Sequence, residues 1–258
     1  TTVMMSLLAS SPAVRVERDY PYESRYLTYF ASLSKMLDGD AKLAGKWPRD
    51  NMLAEPPIEI GGLPWRQLVQ DSGALSQNCL QDLWKRFSEG ASERETHYIE
   101  KVSRWVSEYV PSIISESKVV CLVRDPRDVW LSVAAFNAKR GYLAFGRQKN
   151  DSDEEYLSRF IERVGTRMTP ILNRENTEQK MLIRYEDLIA DTANVVGRLG
   201  DWLNLDLDPS VLSERIQEHV TAPSSGQSIQ RWKRELSRTI RKRFKREMGD
   251  ILEGFGYE

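Results

Sequence analysis

Residues 118–132 read KVVCLVRDPRDVWLS, and this stretch decides the fold. Lys118 to Val123 is a continuous apolar run, the pattern of a strand buried on both faces of a sheet. Within it Cys121 reads as a small buried hydrophobe. The chemistry then changes at once. Asp125 is a good N-cap, Pro126 suits the first helical position, and Asp128 places an acid in the first turn. Pro126 to Lys139 therefore reads as a helix with a defined start, Arg124 just before it and Ser132 about two turns in. Free backbone N–H groups at a helix N-terminus, next to an arginine fork, make a phosphate site. The alternative is a surface ion pair between Arg124 and Asp128 at an ordinary helix start.

Working outward, Lys180 to Tyr185 (KMLIRY) is a second apolar run, followed by a helical pattern over Asp191 to Leu203. On the other side, His97 to Val102 is a weaker strand candidate, followed by a helical pattern over Val102 to Tyr109. Strands alternating with helices imply an α/β fold, a mostly parallel central sheet flanked by helices. Ligands of such sheets bind beyond the carboxyl ends of the strands. Those ends are Val102, Val123 and Tyr185. Thr1 to Ala9 is helical in pattern and stops at Ser10-Ser11-Pro12; Tyr22 to Leu37 reads as an amphipathic helix, residues 38–75 as a loop-rich excursion, and Asn78 to Ser88 as a helix. There is no internal repeat, and residues 1–258 are expected to form a single domain.

Composition excludes several classes. The 258 residues carry 37 basic and 38 acidic side chains, so no global charge favours nucleic acid or an anionic membrane. Any anionic substrate must be met by local arginines. Two cysteines, Cys79 and Cys121, make no disulfide framework, and two histidines, His97 and His219, offer no zinc-site spacing, so no metal is expected. No apolar run approaches the ~20 residues of a membrane span. The expected setting is cytoplasmic. The chain opens Thr1-Thr2 without methionine, and the natural protein is expected to have a longer N-terminus.

RDPRDVWLS resembles the 3′-phosphate-binding motif of sulfotransferases that use 3′-phosphoadenosine 5′-phosphosulfate (PAPS), with the same Arg, Pro, Asp-Val and Ser spacing. The resemblance implies that Arg124 and Ser132 hold the 3′-phosphate. KMLIRYEDLI is similar to the family's strand followed by Tyr-Glu-Asp, which puts Tyr185 near the adenine. SIQRWKREL, residues 228–236, resembles the late loop that closes over the nucleotide, with Arg231, Trp232 and Lys233 at the matching positions. Taken alone, Arg231 to Arg246 would be a solvated basic helical face, and Tyr185 a core tyrosine. TTVMMSLLASSPAV is similar to the helix after the phosphosulfate loop, which makes Thr1 and Thr2 the last two residues of a phosphate cradle. The strand before that loop, and its basic residue, Ser and Gly, are absent from this sequence. GDILEGFGY looks like the C-terminal helix of bacterial members. Implied are a P-loop NTPase-like sulfotransferase fold, PAPS as co-substrate, and the product 3′-phosphoadenosine 5′-phosphate (PAP).

Sulfuryl transfer needs a base for the acceptor hydroxyl and cations for the charge that builds on the transferred and leaving groups. Glu100-Lys101, ending HYIEKV, resembles the family strand whose lysine lies near the sulfate. Cytosolic members carry a histidine two residues after that lysine; Ser103 stands there instead. Glu23, which follows a strand-like segment and starts a helix, is the leading candidate base, with His97 and Glu100 behind it. A glutamate in a first helical turn is also common for dipole reasons alone. The acceptor is expected to be a small-molecule or carrier-bound hydroxyl, and no residue names it. Two other classes compete. A small-molecule or nucleoside kinase would need a G-x-x-x-x-G-K-[ST] loop and a magnesium carboxylate, neither of which this sequence holds. A catalytically impaired nucleotide-binding domain is favoured by the absent loop and by Ser103.

Overall fold

The computed structural model describes residues 2–17, 24–37, 73–112, 114–172, 176–215 and 228–257. In chain order the elements are α1 (Thr2–Leu8), β1 (Val14–Arg15), α2 (Tyr26–Leu37), α3 (Gly73–Glu89), β2 (His97–Tyr98), α4 (Arg104–Tyr109), β3 (Val119–Val123), α5 (Pro126–Arg140), α6 (Asp153–Leu172), β4 (Lys180–Arg184), α7 (Tyr185–Ala190), α8 (Thr192–Leu203), α9 (Ser210–Arg215), α10 (Trp232–Glu235) and α11 (Arg238–Gly254). They fall into two compact units. One comprises Val3–Ser11 with Val119–Glu258, the other Pro12–Lys118.

In the first unit β3 and β4 pair in parallel, from Val119 opposite Lys180 to Val123 opposite Arg184. A parallel pair requires a crossover, and the connection runs through α5 and α6. The level register brings Arg124 and Tyr185 off the sheet side by side. Asp125 caps α5 as its sequence predicts: the carboxylate accepts the backbone N–H of Arg127 at 2.9 Å, and Pro126 occupies the first turn. The core packs α6 against α11 around Phe160 and Phe244, with Trp130 of α5 edge-on to Phe160. Met4, Met5, Ser6, Leu7 and Leu8 are all buried, so α1 is enclosed all round over this stretch.

Two expectations for β3 need correction. Its residues before Val123 are half-buried rather than sealed on both faces, and Cys121 is half-buried with them. Among the described residues β4 is the only strand paired with β3, so one edge gains no cover from a neighbour strand.

In the second unit β1 and β2 pair in parallel, Val14 with His97 and Arg15 with Tyr98. β2 is shorter than the His97 to Val102 run. One more ladder bond, Ile99 N–H to the Arg15 carbonyl at 3.1 Å, closes it. The next residue, Glu100, turns its carboxylate to the start of α2. α2 begins at Tyr26, just after Arg25, whose φ of 62° is a left-handed conformation that an α-helix cannot continue; Tyr22, the expected start, lies outside the described residues. Ala31, Val106, Val110 and Ile114 form the core here, with Phe30 and Trp84 packed edge to face beside it. α3 spans Gly73–Glu89, longer than the expected Asn78 to Ser88. The expected loop over 38–75 lies almost wholly outside the described residues, as do Thr1 and Glu23. Among the described residues no helix is long and apolar enough to cross a membrane.

Candidate functional site

The segment after β3 builds one side of the site. Asp128 lies in the first turn of α5 and is 0 % exposed. It makes no surface ion pair with Arg124, contrary to the bland alternative. Instead its Oδ1 accepts the backbone N–H of Trp232 at 2.9 Å, across 104 residues of chain. Burial pushes its carboxyl above the ordinary value, and the Trp232 N–H pulls the other way. Ser132 lies one helical turn beyond Asp128 on the same face of α5. Its hydroxyl oxygen is buried and finds no partner among the described residues.

Arg124 is fixed on two sides. Its guanidinium carbon stands 4.5 Å from the centre of the Tyr185 ring. Its Nη2 donates to the Ser228 carbonyl at 2.8 Å. The Tyr185 hydroxyl and the Ser228 hydroxyl lie 3.1 Å apart, within hydrogen-bond reach. The structure thus joins three separated segments, after β3, after β4 and before α10, around one arginine. The Nε of Arg124 remains buried without a described partner.

The turn into α10 completes the cluster. Gln230, with φ 54°, adopts a left-handed conformation uncommon for a residue other than glycine, and Arg231 and Trp232 follow it. Both are buried. Arg231 is gripped in a two-pronged pair by Glu235, Nε to Oε1 at 3.0 Å and Nη2 to Oε2 at 2.8 Å, which leaves Nη1 buried without a described partner. Trp232 Nε1 is in the same position. The Lys233 ammonium lies 5.5 Å from the Trp232 ring centre, while its residue is exposed.

Unpaired buried donors are costly, about 1–3 kcal/mol each, and are uncommon away from ligand sites. Here Arg124 Nε, Ser132 Oγ, Arg231 Nη1 and Trp232 Nε1 gather where an α-helix of 15 residues begins, beyond the carboxyl ends of two parallel strands. Two carboxylate oxygens, Asp128 Oδ2 and Glu186 Oε2, are also buried there without a described partner, and burial pushes both carboxyls toward their neutral forms; the four donors suit an anion.

Sequence reasoning missed Arg127, Glu186, Ser228 and Tyr257. Arg127 is 6 % exposed and forks onto the Asp125 carboxylate. Glu186 Oε1 accepts the Asp125 N–H at 2.9 Å, and burial raises its carboxyl above the usual range. RDPRD and YED displayed these residues, but their partners are set by contacts far apart in the chain. The other expected residues belong elsewhere. Thr2 opens α1 with a half-buried side chain. In the second unit, Glu100 Oε2 accepts the Leu27 N–H at 2.9 Å and the Tyr98 hydroxyl at 2.7 Å, so it fixes the start of α2. His97 Nδ1 lies 2.9 Å from the Thr96 hydroxyl, and Lys101 is half-buried.

Unpaired buried donors beyond the end of a parallel strand are the arrangement of an anion-binding α/β protein. The sulfotransferase-domain family model matches residues 106–249, more than half of the chain, and the protein belongs to that family. Among solved structures it is similar to the sulfotransferase domain from the curacin biosynthetic pathway, with TM-score 0.51 and 16% identity, covering 100% of this chain and 93% of that one. At that identity the likeness establishes the sulfotransferase fold. A second similar structure is retinol dehydratase in complex with androsterone and inactive cofactor PAP, with TM-score 0.42, 12% identity, and coverage of 98% and 85%. No curated protein sequence matches the chain.

Proposed function

We propose that this sulfotransferase takes its sulfuryl group from PAPS and delivers it to a hydroxyl of a small-molecule or carrier-bound acceptor. The observation that carries the nucleotide is the set of unpaired buried donors around Arg124. Arg124 and Ser132 would hold the 3′-phosphate, an arginine fork and a hydroxyl suited to a dianion. Tyr185 and Trp232 supply flat apolar faces for the adenine, and Arg231 Nη1 and Lys233 add positive charge at the α10 turn. Thr1 and Thr2 would meet the 5′-phosphosulfate through their hydroxyls and N–H groups.

In the transfer a bond forms between the acceptor oxygen and sulfur while the bond from sulfur to the bridging oxygen breaks, releasing PAP. Lys101 would meet the negative charge that grows on the leaving phosphate and the sulfuryl oxygens. Glu23 would take the acceptor proton, with His97 and Glu100 as runners-up. Glu100 has a supporting task besides, since its hydrogen bond to Leu27 N–H fixes the helix that follows Glu23. No observation favours a kinase.

Calorimetry tests the nucleotide. PAP is expected to bind far more tightly than AMP, and Arg124→Ala to weaken PAP by about a hundredfold while leaving AMP nearly unchanged, since a charged hydrogen-bond donor is lost. Equal affinity for PAP and AMP would remove the assignment. Transfer of labelled sulfate from PAPS into a panel of alcohols and carrier-bound hydroxyls reads the acceptor class.

A further inference from the structure

Arg127 has no contact assigned to the nucleotide in the proposal above, yet it is the most heavily constrained arginine in the site. Its Nε and Nη2 grip the Asp125 carboxylate at 2.9 Å and 2.7 Å, and Nη2 also donates to the Tyr257 carbonyl at 3.1 Å. Asp125 in turn is held by Glu186 through its backbone N–H. The guanidinium so fixed lies against the indole of Trp232, with its central carbon 3.5 Å from the ring centre. Trp232 is therefore held at two points, its backbone by Asp128 and its ring by Arg127. A flat ion stacked on an aromatic face sets the plane of the ring, which a point charge does not.

We propose that Arg127 is a positioning residue for nucleotide recognition: it sets the plane of Trp232 and so the aim of the α10 turn that carries Arg231. This rests on the nucleotide assignment made above. Arg127 touches the tryptophan rather than the ligand, so its loss weakens binding of PAPS without altering the bond-making step.

The test uses the full protein with fluorotryptophan NMR and steady-state kinetics. Trp232→Phe assigns the Trp232 resonance. Arg127→Lys preserves the charge beside Asp125 but removes the flat face, and Arg127→Gln is the second variant in case the first misfolds. In the nucleotide-free protein either variant is expected to shift and broaden the Trp232 resonance. The KM for PAPS should rise about tenfold with kcat nearly unchanged, the signature of lost uniform binding. In a Trp232→Ala background the same change should add less than about twofold, because the two residues act as one unit. An unmoved Trp232 resonance, a fall in kcat at constant KM, or additive losses in the double variant would each overturn the inference while leaving the nucleotide assignment standing. If the wild type binds PAP no better than AMP, the nucleotide assignment fails, and the kinetic role of Arg127 with it; the resonance still reports whether Arg127 orders the ring.

Discussion

Asp128 keeps a carboxylate where no solvent reaches it, and its partner is a backbone N–H of a residue 104 positions away. Two substitutions separate its roles. Asp128→Asn keeps an oxygen to accept the Trp232 N–H and removes the buried charge, so the urea midpoint at neutral pH should be no lower than wild type. Asp128→Ala leaves the N–H without an acceptor and should cost about 1–3 kcal/mol in the same measurement. Equal losses would mean that the hydrogen bond carries no weight. The sequence placed Asp128 well enough as an acid in a first turn. The resemblance to sulfotransferase motifs, not the residues' own pattern, named Arg124, Ser132, Tyr185, Arg231 and Trp232 together. The sequence left out the contacts among them, because each joins segments whose separation in the chain says nothing about distance in space. Arg127 escaped for that reason: next to Asp125 it reads as one more surface charge, and only the fold lays Trp232 and Tyr257 against it.

At the scale of the element, α8 offers a matched pair of glycines. A Cβ added at Gly197 meets nothing within 4 Å, while one added at Gly200 would lie 2.7 Å from the Leu205 carbonyl oxygen. Gly197→Ala is expected to raise stability by about 0.5–1 kcal/mol, by lowering the entropy of the unfolded chain. Gly200→Ala is expected to lower it by about 1–3 kcal/mol, since the obstructing atom is backbone and cannot swing aside. Urea unfolding of both variants checks the signs. α5 and β4 were legible because their signals are local: a cap, a proline, an unbroken apolar run. β1 is two residues long and passes below any periodicity, and β2 stops where Glu100 turns toward Leu27, an ending that no composition announces.

Across the whole molecule, acid stability is a contest between two groups of carboxylates. Burial raises Asp128 and Glu186 above their ordinary values of 3.8 and 4.5. The folded chain then holds more protons than the unfolded one between those values and the raised ones, so stability falls as pH rises through that window. Arg159 and the Gln148 N–H hold Asp151 low, and Ser152 holds Glu155 low. Their contribution is present above the ordinary carboxylate range and is lost as pH falls below it. Urea midpoints across a pH series should therefore peak on the acid side of neutrality, and Asp128→Asn should flatten the limb above the peak. A midpoint that climbs steadily to neutral pH would contradict this. The core sets the baseline. Phe244, fully buried and edge-on to Phe160 at 6.4 Å, should cost about 3–5 kcal/mol as Phe244→Ala, read as a lower thermal midpoint.

The level pairing of Val123 with Arg184 has a consequence for how such a chain can vary. Between the two strands the segment can lengthen or shorten in its exposed turns, since neither strand end moves when it does. A single residue inserted within either strand is different. It would turn every following side chain to the opposite face and carry Arg124 away from Tyr185, although each motif would still read correctly in the sequence. Insertions should therefore be tolerated in the exposed turn between α5 and α6 and rejected inside either five-residue strand.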